Sequence, residues 1–447
     1  MTARSRSRGA AGRYADPVPG ILSILRTRIR RALLGRAAGN GIDLSQLSKV
    51  PDSLSWPLRR DGMDPVARLG ESREREPFTK LTSFLGLNVW LVTGEAETRH
   101  VLADISSYSN DIRPFVGARG STTDGDIGGL GFTDPPEHTA LRKLLTPELT
   151  MRRLERLRPR IADIIEQQLD VIEAAGPEVD LVSTFAFPIP FLVICELLGL
   201  PVEDRDPFRE LGSARFDVTY GGTGSLGAVS QSRMFLMEAT RRQRTDPGDG
   251  LIGQIIREHG DEINDFDLAG LADGVFTGGL ETTASMLALG ALVLMRDPAG
   301  FAELGRDESR APPVVEELLR YLSVVQIAFP RFAREDMDLF GHKVSAGDVV
   351  VCSLAGANRD ARSGERMDEF DPTRAPRQHF AFGHGFHRCV GAELARMELR
   401  MAYPAMARRF PQMHLSAGVD ELALRQLSIV FGVDELPISL WQSAAVR

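Results

Sequence analysis

Residues 379–394 read HFAFGHGFHRCVGAEL, which places His379, His384, His387 and Cys389 within eleven positions. Clustered imidazoles and a thiol are metal-ligand chemistry. Zinc is poorly served, because structural zinc sites usually draw Cys/His pairs from two segments. No CxxC, HxxxH or HExxH occurs elsewhere to complete one, and the CxxCH of covalent haem attachment is also absent. A single thiolate with no second protein ligand instead suits haem iron, with the opposite face left open for O2 chemistry. Gly383, Gly385 and Gly391 punctuate the loop and let a large flat ligand approach the backbone. The VGAELARMELRMA that follows Cys389 is strongly helix-forming. Backbone N–H groups and the helix dipole then favour the anion, so a depressed thiol pKa is expected.

A second constellation lies a hundred residues upstream. The stretch 265–298, DFDLAGLADGVFTGGLETTASMLALGALVLMRDP, has no internal proline and predicts one helix of about thirty residues, near 45 Å. Its second half is apolar all round and should be buried. Yet Gly278, Gly279, Glu281, Thr282 and Thr283 interrupt it. Each glycine costs roughly 1 kcal/mol in a helix interior, and a buried carboxylate costs several more unless paired. Broken local rules inside a core helix point to a site; a crossing of helices at small residues, with Glu281 bound to a core arginine, is the competing explanation. Further on, Glu317 and Arg320 are spaced to pair along a helix, a common and weak interaction taken alone.

These residues need a scaffold, and the chain reads as mainly helical. Prolines open DPPEHTALRKLL (134–145) and PPVVEELLRYLS (312–323), as suits a first helical turn. ERLRPRIADIIEQQLDVIEAA (155–175) and PFLVICELLGLP (190–201) are further helices, the second ending at its Gly-Leu-Pro. NVWLVTG (88–94) is strand-like, residues 331–355 alternate enough for a short meander, and the Gly-rich 218–230 is expected to be mobile or a tight turn. Residues 1–20 read as disordered. The segment 21–34 predicts an amphipathic helix with an arginine face, more simply packed on its own protein than laid on a membrane or a partner.

Bulk properties narrow the function. The 447 residues carry a net charge of −8, so nucleic acid is not an expected partner. Charge is uneven: residues 1–36 hold nine Arg and one acid, a net of +8. The three cysteines, 195, 352 and 389, are odd in number and far apart, which fits a reducing cytoplasm rather than a disulfide framework. Neither a spanning helix nor a secretion signal is expected.

FGHGFHRCVG (382–391) resembles the FGxGxHxCxG signature of the cytochromes P450, with Cys389 at the axial-ligand position. Other P450 motifs follow in order: DPPEHTALRK (134–143), GGLETT (278–283) and EELLR (316–320), the last carrying the Glu317–Arg320 pair. The resemblance spans roughly residues 50–445 and is closest to soluble bacterial members. It implies a mainly α fold with a small β region, the haem lying between the long helix and the Cys loop with its following helix. Residues 1–50 would be an extension and 51–447 a single catalytic domain.

By the same resemblance Cys389 ligates haem b, Phe382 packs beside the thiolate, and Gly383, Gly391, Gly278 and Gly279 make room. His387, His138, Arg142 and Arg331 bond the propionates, while His379 and His384 have no metal role. Glu281 and Thr282 match the acid–alcohol pair of O2 activation. Electrons from NAD(P)H would come through a separate ferredoxin and reductase, or a flavodoxin, with Arg142, Lys143, Arg388, Arg396 and Arg400 as a docking patch. An apolar substrate pocket would draw on Phe115, Val116, Phe216, Tyr220, Val275, Phe276, Val325, Ile327, Ile429 and Val430. The implied activity is hydroxylation or epoxidation of a lipophilic metabolite; oxidative coupling is the rival reaction and a non-catalytic haem sensor the rival class. One departure stands out. The family often has Arg where this chain has Glu369, so either Arg374 or Arg366 completes the Glu317–Arg320 group or the meander is rearranged.

Overall fold

The computed structural model describes residues 51–84, 87–111, 130–216, 223–425 and 427–441. The extension 1–50, Phe115, Val116 and Tyr220 lie outside the described residues, as does the side chain of Phe216.

Four helices frame the site: Arg158–Ala175, Pro188–Leu198, Asp265–Leu294 and Ala392–Arg409. Local sequence explains each. In the first, Ile161, Ile164, Ile165, Leu169 and Ile172 recur at helical spacing and form one buried face. The second starts at a proline and stops at Gly199, whose φ of +76° is a left-handed conformation that suits glycine. Asn264 caps the long helix by accepting from the Asp267 N–H at 2.8 Å. That helix is long and apolar enough to cross a membrane, but 67% of its apolar window is buried in the protein, as befits a core helix. It crosses Ala392–Arg409 at Gly290, where a Cβ would collide with the Tyr403 ring. The close crossing lets the buried Tyr403 hydroxyl donate to the Met286 carbonyl, which satisfies it.

The tight turn expected within the Gly-rich stretch 218–230 is absent from residue 223 onward, because Thr223–Thr245 is a helix. Residues 217–222 lie outside the described residues.

The β part is small. A five-stranded sheet runs in the order Phe78–Phe84, Leu87–Val92, Val349–Cys352, Arg331–Ala333, Tyr108–Ser109. Only the Leu87–Val92 and Val349–Cys352 pair is parallel, with Val350 opposite Trp90. Phe78, Trp90 and Val350 form its separate apolar core, distinct from the large helical one. The 331–355 meander is therefore real, and a hairpin, Met337–Leu339 with His342–Val344, sits within it.

The helix Ala311–Leu322 carries the Glu317–Arg320 pair at the centre of a saturated network. Arg320 is 1% exposed and bidentate on Glu317, at 2.8 and 2.7 Å. Its remaining donors go to the carbonyls of Asn358, Met367 and Glu369. Arg374 completes the group, Nε donating to Glu317 Oε1 at 3.2 Å. Glu369 causes no conflict: it offers Arg320 its backbone carbonyl, while its side chain turns outward to Arg366.

Candidate active site

The Cys389 loop is shaped by two left-handed glycines, Gly383 (φ +68°) and Gly385 (φ +71°). A Cβ at Gly385 would strike the Leu102 carbonyl at the end of the helix Glu95–Ala103, so glycine is required twice over. The turn closes when the Cys389 N–H donates to the Phe382 carbonyl at 2.9 Å, and the helix Ala392–Arg409 follows at once. Nothing lies within 4 Å of a Cβ built on Gly383 or Gly391, which leaves open space on that side of the loop. Phe382 is half-buried, with the Arg396 guanidinium 4.6 Å from its ring centre.

Cys389 is free and exposed toward that space, yet protein crowds it elsewhere. Burial is the largest influence and pushes its thiol up, against the Gly391 N–H and the guanidiniums of Arg388, Arg142 and Arg396. The depressed thiol expected from the helix terminus is thus overturned for the protein alone, because desolvation outweighs one N–H and three cations. A coordinating metal would deprotonate it outright.

Beside the thiol lies a group of donors with too few acceptors. His138 is fully buried, and neither ring nitrogen has a partner among the described residues. Its ring packs 4.4 Å from Phe386 and 4.3 Å from His387, whose Nδ1 is also unpartnered. Burial pushes both imidazoles down, to about 4 for His138 and about 3 for His387. Arg331 is 4% exposed, and among the described residues its side chain donates only to the Phe329 carbonyl, at 3.0 Å. Among the described residues, neither Arg331 nor Arg142 pairs with a carboxylate. Asp134, whose charge reaches both histidines and Arg331, is already engaged by Ser109, the Asn110 N–H and Arg334. Buried donors left unmatched cost about 1–3 kcal/mol each. A bound group bearing carboxylates removes that cost, so the donor set fits the propionates of a haem.

The long helix shows an open stripe. Gly274 and Gly278 are exposed and Thr282 is half-buried, one helical turn apart on one face, whereas residues 283–294 are all buried. The Thr282 hydroxyl donates to the Gly278 carbonyl at 2.7 Å, which leaves its oxygen lone pairs to accept. Gly279 belongs elsewhere: a Cβ there would meet Ile194 at 3.0 Å, so it serves the crossing with Pro188–Leu198 rather than the open face. Glu281 accepts from Arg425 Nη1 at 2.9 Å. Burial pushes its carboxyl up while Arg425 pulls it down.

Not every expected residue reaches this region. Phe276 is fully buried against Phe208, ring centres 4.4 Å apart, and belongs to the core rather than to a pocket wall. Val275 is half-buried, and Val325, Ile327, Ile429 and Val430 keep partly open side chains on adjoining backbone bridges. In the expected docking patch, Arg396 and Arg400 are tied to Glu316 at 2.7 Å, and His379 joins the same acid at 3.1 Å with only 5% of its side chain exposed. They form a part-buried charge cluster around one acid, so neither arginine is a free cation. His384 contacts Phe380 edge-on. Motif reasoning missed Arg425, since nothing in ALRQLSIV marks it.

The cytochrome P450 family model matches residues 311–439. Cytochrome P450 FAS1 of Rhodococcoides fascians is 37% identical over 389 residues, 86% of this chain and 97% of the relative. The 20-oxo-5-O-mycaminosyltylactone 23-monooxygenase of Streptomyces fradiae is 36% identical over 393 residues, 87% and 92% of the two chains. Among solved structures, OxyC, a P450 implicated in an oxidative C–C coupling reaction during vancomycin biosynthesis, superposes with a TM-score of 0.77 at 36% identity, covering 86% of this chain and 96% of its own. Likeness along nearly the full length of these relatives, together with the Cys389 loop and the open helix stripe, assigns the chain to the cytochrome P450 family, whose bacterial members are oxidoreductases that use haem and O2 with NAD(P)H-derived electrons passed through redox partners.

Proposed function

We propose that this P450 inserts oxygen into a lipophilic small molecule of bacterial secondary metabolism, by hydroxylation or epoxidation, in the cytoplasm. The observation that carries the reading is Thr282 on the open stripe, its hydroxyl proton engaged by Gly278 and its oxygen left to accept a hydrogen bond. Cys389 would supply the thiolate that holds the haem iron. His138, His387, Arg142 and Arg331 hold the propionates by charge-assisted bonds, which would retain haem without covalent attachment. The bound haem supplies O2 activation by two electrons from the redox partners. Around it, the Gly391 N–H favours negative charge on the Cys389 sulfur, and Gly274 and Gly278 keep the stripe low enough for a flat group and a small gas. Thr282 accepts a hydrogen bond at its oxygen, and Glu281 takes protons up from the solvent side. Val275, Val325, Ile327, Ile429 and Val430 line an apolar substrate space, which excludes water from the reacting carbon.

A second reading, oxidative coupling, is favoured by the likeness to OxyC. Product masses separate the two: insertion adds one oxygen atom, coupling removes two hydrogens. A spin-state screen of lipophilic ligands, followed by turnover with a surrogate ferredoxin and reductase, tests activity and substrate class together. A protein that binds haem but turns over nothing in that screen would be the non-catalytic class. The reduced carbon monoxide spectrum of Cys389→Ser tests ligation; a retained thiolate-type band would overturn the assignment. For ferredoxin docking, Lys143 and Arg388 take the place of Arg396 and Arg400, which are tied to Glu316. Charge reversal at Lys143 and Arg388 is expected to weaken ferredoxin binding at low salt, and unchanged affinity would remove the patch.

A further inference from the structure

Two segments far apart in sequence, 324–328 and 428–431, form one apolar wall together. Val325 bridges Val430, the Gln326 N–H donates to the Ile429 carbonyl at 3.0 Å, and the Phe431 N–H donates to the Val324 carbonyl at 2.7 Å. Side chains alternate along such an extended segment. Val325 and Ile327 keep partly open side chains, while Gln326 between them points to the other side and is 1% exposed. There its amide donates to the Ser428 carbonyl at 2.7 Å and to the Leu58 carbonyl at 2.9 Å. Its side-chain oxygen accepts from Arg60 Nε at 2.7 Å.

Arg60 stands on the short strand Arg60–Asp61 and is 5% exposed, and among the described residues no carboxylate pairs with it. Its Nη1 donates to the Met63 carbonyl at 3.1 Å, and Nη2 reaches the Leu322 and Ser323 carbonyls at 3.1 and 3.2 Å. Those two carbonyls end the helix Ala311–Leu322, where a cation is favourable. At Ser323 the backbone turns left-handed, φ +44°, and the chain leaves as the wall. The guanidinium also lies 4.3 Å from the ring centre of Phe431, on the second segment. Burial, together with the Arg359 charge, pushes this guanidinium down to about 9. A buried charge without a partner acid is costly, and a pair of short strands does not need one. What arginine alone supplies is a rigid fork of donors that answers several segments at once.

We propose that Arg60 and Gln326 are positioning residues for substrate specificity: from behind, they lock 324–328 against 428–431 and so set the size and shape of the lipophilic molecule the wall accepts. Neither side chain reaches the open face. Both act through Val325, Ile327, Ile429 and Val430, so the inference rests on those four residues lining the substrate space.

The test compares two ligands by spectral titration of the holoenzyme. Imidazole is too small to need the wall, whereas clotrimazole carries three aryl rings that press on it. Gln326→Glu keeps an acceptor for Arg60 but loses both amide donors, and its carboxylate repels the Ser428 and Leu58 carbonyls. Clotrimazole affinity should fall roughly tenfold, with imidazole affinity and the reduced carbon monoxide band as in wild type. Arg60→Lys keeps the charge but not the fork and should act in the same direction by less, a test that stands even if Gln326→Glu does not fold. Unchanged clotrimazole affinity in either variant, or an equal loss for both ligands, would overturn the proposal. Val325→Ala and Ile429→Ala alter the wall itself. If they too leave clotrimazole binding untouched, the substrate-wall reading fails and the proposal with it; if they change it while Gln326→Glu does not, only the positioning role falls.

Discussion

Two buried groups of charged and polar residues differ in one respect. Around Arg320 every donor is answered: Glu317 takes two, three carbonyls take the rest, and Arg374 fills the remaining place on the acid. Around His138, both ring nitrogens of that buried imidazole and Nδ1 of His387 lack partners among the described residues, and the Arg331 side chain reaches one carbonyl. The first group is finished by the chain and holds the fold. The second is finished only when something anionic enters. Saturation, more than burial or residue type, separates scaffold from site.

Breaking the saturated group should have the largest effect. Arg320→Met leaves Glu317 buried at 6% exposure with only Arg374 and the Asp371 N–H beside it among the described residues, both on Oε1. A loss of about 3–5 kcal/mol is expected, read by urea unfolding and by a collapse in holoprotein yield.

Glu398 is an intermediate case, a fully buried carboxyl on the helix that follows the Cys389 loop, with Oε2 unpartnered among the described residues. Burial alone pushes it up from 4.5 to about 8. A carboxyl that binds its proton more tightly when folded makes stability fall as pH rises, here across the window from about 4.5 to about 8. At about 1.4 kcal/mol per pH unit, wild type should lose roughly 3 kcal/mol relative to Glu398→Gln between pH 5 and 7.5. Parallel unfolding curves for the two proteins over that window would refute it.

The unsaturated group should respond differently. Arg331→Met and His138→Phe are expected to leave the apoprotein as stable or more so, since each removes an unmatched donor, while haem is lost roughly ten- to a hundredfold faster, the equivalent of about 1.5–3 kcal/mol per charged hydrogen bond. Smallest of all, Glu369→Arg should leave the thermal midpoint unchanged, because only its backbone carbonyl serves Arg320. A large loss there would mean that the side chain matters after all.

Much of this was legible in the sequence because it is local. The glycines of the Cys389 loop, the proline-opened helices and the uninterrupted long helix each follow from spacing within a dozen or so residues. The identity of the substitute for the usual arginine was narrowed to Arg374 or Arg366, and packing chose Arg374. What spacing could not show was competition between long-range terms. Cys389 stands at a helix start as expected, yet burial dominates its thiol. Gly278 and Gly279 are adjacent and chemically identical, but one opens to the cleft and the other packs on Ile194. Phe276 looked like a pocket wall and packs on Phe208. Arg425 reaches Glu281 across 144 positions with no motif to announce it.

The most direct test of the account sets the two groups side by side: haem transfer to an acceptor protein and urea unfolding of the apoprotein, measured for Arg320→Met and Arg331→Met. The account predicts that Arg320→Met unfolds at much lower urea, whereas Arg331→Met unfolds with wild type but releases haem at least tenfold faster. Equal destabilisation of both apoproteins, or unchanged haem release from Arg331→Met, would contradict it.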